Sequence, residues 1–404
     1  MATPQHMQRV ARRLIARHDA GDKVVAVVSA MGKVTDELVD LAHQLTPDPP
    51  AREMDMLLTT GEQVSIALLA MAIQAQGYSA ISFTGAQVGI VTDATFNKAE
   101  ILAIDAACVR EALDEDQIVI VAGFQGRTPD GQITTLGRGG SDTTAVALAA
   151  GLSADLCEIY SDVAGVFTAD PRMVPAARKI DLIGYEEMLE LSSSGAGVLS
   201  MRSVEFARNH HVVIHCRSSF TDEPGTIVKE QDADMEQAIV SGVTFDTSEV
   251  KFTIRAVPDQ AGVAAQVFSR LADHGINVDM IIQNVSEQGA TDISFTSPAD
   301  DLLGAEEAVR EAVAAIGARE WVLDENIAKV SIVGAGMKSH PRVSARMFSA
   351  LAVAGINIDL ISTSPIRLSC VVSQDQLPDA VRALHTEFDL DADAAIDESN
   401  GEAL

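Results

Sequence analysis

Short apolar runs that end in small or polar residues recur along the first half of the chain. The β-branched run at residues 24–28 is typical of a strand buried on both faces, and it leads directly into the small-residue turn at residues 29–33. Helical patterns such as residues 8–20 and 62–76 alternate with these runs. The alternation predicts an α/β layered domain with a mainly parallel sheet, closing near Val228, whose ligands bind at the carboxyl edge of the strands. Three further runs share the pattern: residues 80–83, 118–122 and 156–160.

The second half of the chain carries an internal repeat. The segment Gly275-Ile-Asn-Val-Asp-Met-Ile-Ile is similar to Gly355-Ile-Asn-Ile-Asp-Leu-Ile-Ser, and each copy follows a helical stretch that is preceded by a strand. This spacing predicts two small βαββαβ modules. The copies lack clustered acid–base or metal-binding residues, so a regulatory pair is favoured over a second catalytic lobe. Purely structural or dimerising modules remain the alternative.

These patterns divide the chain into consecutive parts. The layered domain is expected at residues 1–228 and a polar linker at residues 229–237. The first module, with the strand that leads into it, is expected at residues 238–325 and the second at residues 326–390. Residues 391–404 are acidic and predict a solvated tail.

Composition narrows the possible partners. The 404 residues carry a formal net charge of −29 at pH 7, which argues against nucleic acid and anionic membranes. The four cysteines are scattered without metal-like pairing, which indicates a reducing compartment. Residues 1–16 lack an apolar signal core, and no run reaches the ~18 consecutive apolar residues of a membrane span. A cytoplasmic protein is therefore expected.

The glycine-rich motif Leu136-Gly-Arg-Gly-Gly-Ser-Asp142-Thr-Thr carries the most chemistry. Glycines let backbone N–H groups converge on an anion, and a helix that follows adds its positive N-terminal end. Arg138 can bind a carboxylate or phosphate through two parallel hydrogen bonds, and Asp142 can organise a metal or a lysine near a phosphate. The motif points to a small acidic substrate and a phosphate, although a turn that merely caps a helix is the structural alternative.

Four segments are specific enough to indicate a family: Arg52-Glu-Met-Asp-Met-Leu-Leu-Thr-Thr-Gly-Glu62-Gln, Val121-Ala-Gly-Phe-Gln-Gly126, Thr134-Thr-Leu-Gly-Arg-Gly-Gly-Ser-Asp-Thr-Thr-Ala-Val and Thr168-Ala-Asp-Pro-Arg172. Through them the chain resembles an aspartate kinase of the amino-acid kinase family with two C-terminal ACT modules. The resemblance implies a three-layer sandwich that transfers the γ-phosphoryl group of Mg-ATP to the side-chain carboxylate of L-aspartate. It also implies feedback regulation by lysine or threonine and a homo- or hetero-oligomer formed through the ACT modules.

The resemblance assigns roles by position and implies no dedicated protein metal ligands. Asp142 organises the transfer site, together with Arg138 as the second catalytic residue. Substrate aspartate is expected to bind Thr35, Glu62, Arg138 and Ser141. The phosphoryl group and nucleotide are expected to contact Ser29, Gly32, Ser161, Asp162, Phe167 and Arg172. An effector is expected to contact Asp259, Asp279, Gln283, Asn284, Asn357 and Asp359.

Several departures from the family pattern fall in the phosphoryl-binding half. Gly197 occupies the place of a family lysine, Phe167 that of a tyrosine, and the family's N-terminal Lys-Phe/Tyr-Gly-Gly strand is absent from the sequence. Because phosphoryl transfer depends on fixed positive charge around the moving group, impaired catalysis is expected. The alternative is a non-catalytic, amino-acid-sensing subunit of an intact partner kinase.

Two further expectations concern the stability of the chain and a possible second start of translation. Without the first strand, neighbouring strand edges are exposed, so lower stability or altered assembly is predicted. Met235 is a candidate start for a separately made regulatory polypeptide, as some relatives have.

Overall fold

A computed structural model describes residues 3–231, 238–284 and 289–391 of the chain. Met235 and the predicted tail beyond residue 391 lie outside the described residues. The chain forms two compact units. The first comprises Met1–Val166, Asp181–Leu189 and Gly197–Asp232, and the second comprises Phe167–Ile180, Glu190–Ala196 and Ala233–Leu404. Two short segments that the sequence pattern placed in the layered domain therefore belong to the second unit.

The first unit alternates strands and helices, as the sequence predicts. Its helices are α1 Pro4–Asp19, α2 Val34–Leu45, α3 Ala51–Gln74, α4 Gly85–Val88, α5 Ala107–Asp114, α6 Gly140–Leu152, α7 Tyr185–Ser193, whose last residues enter the second unit, and α8 Met201–His210. Its strands are β1 Val25–Val28, β2 Ala80–Phe83, β3 Ile90–Thr92, β4 Ile101–Ile104, β5 Ile118–Ala122, β6 Gln125–Arg127, β7 Ile133–Thr135, β8 Cys157–Ser161, β9 Leu182–Gly184, β10 Ile214–Ser218 and β11 Thr226–Lys229.

Strand β5 lies at the centre of a three-layer arrangement. It pairs in parallel with β1 and β2, and all five of its residues are buried. Ile118, Ile120 and Ala122 pack with α1 and α3, whereas Val119 and Val121 pack with α5 and α6 on the opposite face. Alternate residues of one strand thus fill two apolar layers, which explains why the run is apolar without interruption.

Helix α3 is longer than its apolar periodicity predicts. It begins at Ala51 rather than near residue 62. The polar and small residues Thr59, Thr60 and Gly61 interrupt the apolar periodicity, so the sequence pattern does not predict the turns before residue 62. By length and composition α3 is the one helix among the described residues that could cross a membrane. Half of its most apolar window is buried inside the protein, which is typical of a core helix.

Among the described residues, four strands of the first unit each pair with a single neighbour, in parallel: β1, β2, β8 and β9. Strand β1 pairs with β5, and strand β8 pairs with β10. Helix α6 packs on both β1 and β8. The effect of exposed strand edges on stability stays a prediction.

The second unit contains the repeated modules. Its strands are β12 Gly242–Asp246, β13 Glu249–Pro258, β14 Ile281–Gln283, β15 Ala290–Pro298, β16 Glu320–Asp324, β17 Ile327–Val333, β18 Leu360–Thr363 and β19 Arg367–Ser373. Its α-helices are α9 Val263–Asp273, α10 Leu302–Ile316, α11 Val343–Val353 and α12 Leu377–Glu387. Short 3-10 turns cover Ala299–Asp301, Ala335–Ser339 and Gln374–Gln376.

The two modules interlock through strand β12. The first sheet has the order β14-β15-β13-β16, which completes a βαββαβ module in consecutive residues. The second sheet has the order β12-β17-β19-β18, so its fourth strand comes from before the first module. Val243 of β12 is 2% exposed and packs in the core of the second module. The first module is therefore an insertion between two strands of the second.

This interlocking predicts where a core truncation in β12 acts. Val243→Ala should destabilise the second module by roughly 2 kcal/mol through the cavity that it leaves. Hydrogen exchange should rise in β17 and β19 while β13 and β15 keep their protection. Val257→Ala, at a residue of the first module that is 1% exposed, is the matched control and should give the opposite pattern. Equal loosening of both modules by Val243→Ala would contradict the assignment of β12.

Candidate active site

The glycine-rich segment between β7 and α6 has a backbone geometry that requires glycine at two positions. Gly137 and Gly139 have φ of 77° and 68°, in the left-handed region that favours glycine. A Cβ on Gly139 would lie 2.3 Å from the Cβ of Ser200. Helix α6 starts at Gly140, so its N-terminal end faces the segment, and Arg138 is exposed just before it. The segment can bind an anion through backbone N–H groups and the guanidinium.

The ends of β1 and α6 are joined by a serine pair. Ser29 follows β1 and donates its hydroxyl to Oγ of Ser141 at 2.8 Å. Gly123, at the carboxyl end of β5, leaves room for this pair, because a Cβ there would lie 2.6 Å from Oγ of Ser141. Three predicted features therefore meet at one edge of the parallel sheet: the turn after β1, the end of β5 and the start of α6.

Glu62 is buried with an unused acceptor. Its Oε1 accepts a hydrogen bond of 3.1 Å from the backbone N–H of Ala30, while Oε2 is buried without a hydrogen-bond partner among the described residues. Burial raises the pKa of this carboxyl group, and the N–H bonds oppose that shift. A buried carboxylate oxygen without a partner is costly, and the ammonium group of a ligand would satisfy it.

The approach of α3 to the turn after β1 depends on Gly61. A Cβ at this position would lie 2.8 Å from the Cβ of Ala30 and 3.4 Å from Cγ1 of Val34. Thr35, predicted to bind substrate, is in the first turn of α2 next to Val34 and is partly buried. Gly32 lies in the turn after β1, has a φ of 55° and is exposed. The structure thus gathers Ser29, Gly32, Thr35 and Glu62 around one turn.

Asp142 lies in the first turn of α6, and its carboxyl group has a raised pKa. Burial raises its pKa to about 6, although the backbone N–H of Ser200 works in the opposite direction. A nearby cation would favour the charged form and lower this pKa. The same carboxylate contributes, after burial, to the raised pKa values of Cys157 and Cys216, each about 12. Both cysteines are therefore neutral, buried thiols.

Asp55 is a site residue to which the sequence analysis assigned no role. It is fully buried on the inner face of α3, where its carboxylate accepts hydrogen bonds from the backbone N–H of Asn97 and from both N–H and Oγ of Thr135, at 2.6–3.1 Å. Burial raises its pKa, and these hydrogen bonds oppose the shift. The signal in the sequence was its spacing: Asp55 and Glu62 lie two helical turns apart, on the face that carries the apolar residues.

Arg202 completes the support of the glycine-rich segment from the other side. Its guanidinium donates to the carbonyls of Leu136, at 2.9 Å, and of Ala99, at 2.8 Å. The N–H of Ala99 in turn donates to the carbonyl of Thr135 at 2.9 Å. Asp55 and Arg202 therefore fix two chain segments against each other immediately before Arg138. No local pattern in the sequence pairs residues so far apart.

The residues predicted to contact nucleotide are divided between the two units. Ser161 ends β8 and forms a local turn with Val163, and Asp162 follows it, exposed. Phe167 and Arg172 belong to the second unit. There Phe167 forms a β-bridge with Lys179, and Arg172 binds the carboxylate of Asp170 through two nitrogen atoms at 2.7–3.1 Å.

The repeated aspartates of the second unit form reciprocal ion pairs between the modules. Asp279 of the first module lies 2.5 Å from Nζ of Lys329 in the second, and Asp359 of the second module lies 2.6 Å from Nζ of Lys251 in the first. Lys329 is 2% exposed and also binds Glu249 at 2.6 Å. Two carboxylates predicted to bind an effector thus already hold a lysine ammonium of this chain.

The pKa values of Lys329 and of its two carboxylate partners shift in different directions. Burial acts against the charged form of Lys329, but Glu249 and Asp279 outweigh it and raise its pKa. Burial raises the pKa of Glu249 despite the lysine, whereas for Asp279 the contacts with Lys329 overcome burial and lower the pKa.

The other candidate effector ligands are more open. Asp259, Gln283, Asn284 and Asn357 are exposed. The backbone N–H of Asn284 donates to the carbonyl of Asp292 at 3.3 Å, and that of Asp259 donates to Gly289.

Comparison with known families agrees with this architecture. Residues 1–218 match the amino acid kinase family, and residues 252–316 and 330–388 each match an ACT domain. The fold and the site therefore define a kinase of the amino acid kinase class followed by two ACT domains.

The particular family follows from individual relatives. An aspartokinase from Mycolicibacterium smegmatis is 53% identical over 97% of this chain and 94% of its own length. The crystal structure of E. coli aspartokinase III with aspartate and ADP (R-state) is similar at 26% identity and a TM-score of 0.80, covering 94% of this chain and 96% of that one. The same enzyme with lysine and aspartate (T-state) has 25% identity and a TM-score of 0.72 over 95% and 96%. The chain belongs to the aspartokinase family.

The role of Asp55 is tested by removing its charge without changing its shape. In Asp55→Asn one acceptor oxygen becomes a donor facing N–H groups, so the free energy of unfolding should fall by on the order of 3 kcal/mol. Hydrogen exchange should rise at residues 95–99 and 135–140. Asp114→Asn, which alters an exposed pair with Lys23, is the control and should change stability by less than about 0.5 kcal/mol. If Asp55→Asn left the hydrogen-exchange protection of both segments unchanged, Asp55 would not be a support of the site.

The buried lysine of the modules is tested through pH. Lys329→Met leaves Glu249 and Asp279 without their cation and should destabilise the protein by about 3–5 kcal/mol near pH 7. In the variant both carboxyl groups have raised pKa values, so stability is greatest where they are protonated and is lost as the pH rises. Urea unfolding should show the deficit shrinking as the pH is lowered. Lys338→Met, at an exposed residue, is the control. A deficit that does not depend on pH would contradict this charge assignment.

Proposed function

We propose that this chain transfers the γ-phosphoryl group of ATP to the side-chain carboxylate of L-aspartate, forming 4-phospho-L-aspartate for lysine, threonine and methionine biosynthesis. The observation that carries this proposal is the unpartnered Oε2 of Glu62, buried beside the turn after β1. That turn is joined through Ser29 and Ser141 to the segment that presents Arg138. The buried carboxylate of Glu62 and the exposed guanidinium of Arg138 suit an amino-acid ligand, whose ammonium group would pair with the first and whose carboxylate would pair with the second.

Each residue then has a role in binding. Glu62 accepts from the ammonium group of aspartate, Arg138 binds a carboxylate, and Thr35 and Ser141 fix the substrate's orientation. The N–H groups at the start of α6, with the glycine-rich segment, receive negative charge that develops on the transferring group. Because Asp55 and Arg202 hold this segment in place before substrate arrives, little reorganisation is needed at the moment of transfer.

Magnesium fits the residues that are present. The described residues contain no cluster of three or more His, Cys, Asp or Glu that could hold a metal on its own. Mg²⁺ is commonly held by one or two carboxylates together with substrate phosphates, and Asp142, in the first turn of α6 beside the glycine-rich segment, is the carboxylate proposed for this role. When bound, the ion neutralises charge on the phosphates. Ser161, Asp162, Phe167 and Arg172 are the proposed nucleotide contacts.

Feedback control by an amino acid is the regulatory part of the proposal. The T-state structure of E. coli aspartokinase III contains lysine, and the present chain has two ACT domains. An effector ammonium that seeks Asp279 or Asp359 has to compete with Lys329 or Lys251. Lysine or threonine as effector therefore implies a rearrangement between the modules.

Weakened catalysis is the second part of the proposal, and it rests on Gly197. A lysine is usual here in the family pattern, and a Cβ added to Gly197 would meet no atom within 4 Å, so the position has room for a longer side chain. The same residue favours the second candidate, a non-catalytic subunit that senses an amino acid and regulates a partner kinase.

Restoring the ammonium group tests both candidates. Gly197→Lys should raise the rate of ADP release with L-aspartate by ~10²–10³-fold, the typical effect of one preorganised charge. Gly197→Met has similar length without charge and should leave the rate unchanged. Turnover of the unaltered chain already at the ~1–100 s⁻¹ of ordinary kinases would overturn the expectation of weakened catalysis. Aspartate binding by calorimetry without ADP release from any of the three proteins would support the sensing subunit instead.

A further inference from the structure

His385 is a buried histidine for which neither the fold nor the candidate site gives a reason. It lies on α12, is 0% exposed, and is the only buried histidine among the described residues. Its Nε2 lies 2.9 Å from Oγ1 of Thr168, whereas its Nδ1 is buried without a hydrogen-bond partner in the described part of the chain. An unpartnered buried nitrogen lowers stability, so an apolar side chain would suit the core better. The contact with Thr168 is what the histidine adds.

Thr168 connects three parts of the second unit. Its N–H donates to the carbonyl of Arg178 at 2.8 Å, and its Oγ1 accepts from the N–H of Arg178 at 2.9 Å. Its carbonyl accepts from the N–H of Val243, on β12, at 2.7 Å. Burial lowers the pKa of His385, and the neutral imidazole can accept the hydroxyl proton of Thr168. Only this last contact is made by a second side chain, so a substitution of His385 can remove it and leave the backbone contacts in place.

The segment of residues 167–180 is built into the core of the second module. It belongs to the second unit, and Ala169 and Val174, which are 3% and 6% exposed, pack in the same core as residues of α12 and β17. Phe167 and Arg172, two of the proposed nucleotide contacts, lie in this segment. The second module therefore fixes the backbone that carries both side chains.

We propose that His385 is a positioning residue for the nucleotide: its contact with Thr168 holds residues 167–172 in the conformation that binds ATP. The inference rests on the proposed function, because it takes Phe167 and Arg172 as nucleotide contacts. A segment that is already ordered loses little conformational entropy when a ligand binds, so the same contacts give a higher affinity than they would on a loose segment. The proposed ligands of aspartate all lie in the first unit. Loss of the hydrogen bond should therefore weaken the binding of nucleotide and not that of aspartate.

Calorimetric titration of the full chain with Mg-ATP, and separately with L-aspartate, tests the proposal without depending on turnover. His385→Leu should weaken Mg-ATP binding about 3- to 10-fold, the usual effect of one hydrogen bond on an equilibrium constant, and leave the affinity for L-aspartate unchanged. His385→Gln has an amide near the position of Nε2 and should restore most of the affinity. His385→Asn has the same amide on a shorter side chain, which does not reach Thr168, and should not restore it.

Two further variants separate positioning from a general loss of packing. Leu351→Ala truncates a side chain that is 0% exposed in the same core, on α11, and should lower stability without changing the affinity for Mg-ATP. Thr168→Val removes the hydroxyl and keeps the shape of the side chain. In a chain that carries Thr168→Val, His385→Leu should cause no further loss of Mg-ATP affinity.

The outcomes distinguish this inference from the proposed function. Equal Mg-ATP affinity in the unaltered chain, His385→Leu and His385→Asn would overturn the inference without contradicting the proposed function. An equal loss in Leu351→Ala, or an equal loss of L-aspartate affinity in His385→Leu, would also overturn it, because loosening of the whole protein would then be the cause. An unaltered chain that binds no Mg-ATP would overturn the proposed function, and the inference with it.

Discussion

The close approach of α3 to the turn after β1 is the constraint on which the candidate site depends. It is possible only because residue 61 has no side chain, since a Cβ there would overlap the Cβ of Ala30. The approach brings Glu62 under the N–H of Ala30, and Ser29 then connects the turn to Ser141 on α6. Two strand ends and two helices are thus fixed around one small volume, where the orientation of a ligand is set before it binds.

Buried charge is used in two different ways in this protein. Asp55 and Lys329 are surrounded by partners, so their desolvation is offset by hydrogen bonds and ion pairs that hold distant segments together. Glu62 keeps one oxygen without a partner, which leaves binding free energy for a ligand. The missing partner distinguishes Glu62 as the candidate ligand-binding group better than burial does, because all three side chains are nearly inaccessible to water.

The two modules are connected through a shared strand arrangement and through ion pairs. Strand β12 precedes the first module yet completes the sheet of the second, so neither module can be displaced along the chain without disturbing the other. The reciprocal pairs of Lys329 with Asp279 and Lys251 with Asp359 use the aspartate inside each copy of the repeated motif. A ligand that changes one of these pairs acts on both modules at once, which is what coupling between sites requires.

The sequence by itself determined the layered α/β fold, the two repeated modules and the anion-binding character of the glycine-rich segment. These features are local: apolar runs of strand length, helical periodicity, and glycines at backbone positions with positive φ. Only the tertiary structure decided that β12 belongs to the second module and that Asp55 and Arg202 support the segment before Arg138. It also decided that Asp279 and Asp359 face lysines of this chain. Such contacts join residues 40 or more positions apart, and no local pattern encodes them, because strand pairing and ion pairing are fixed by the packing of whole layers.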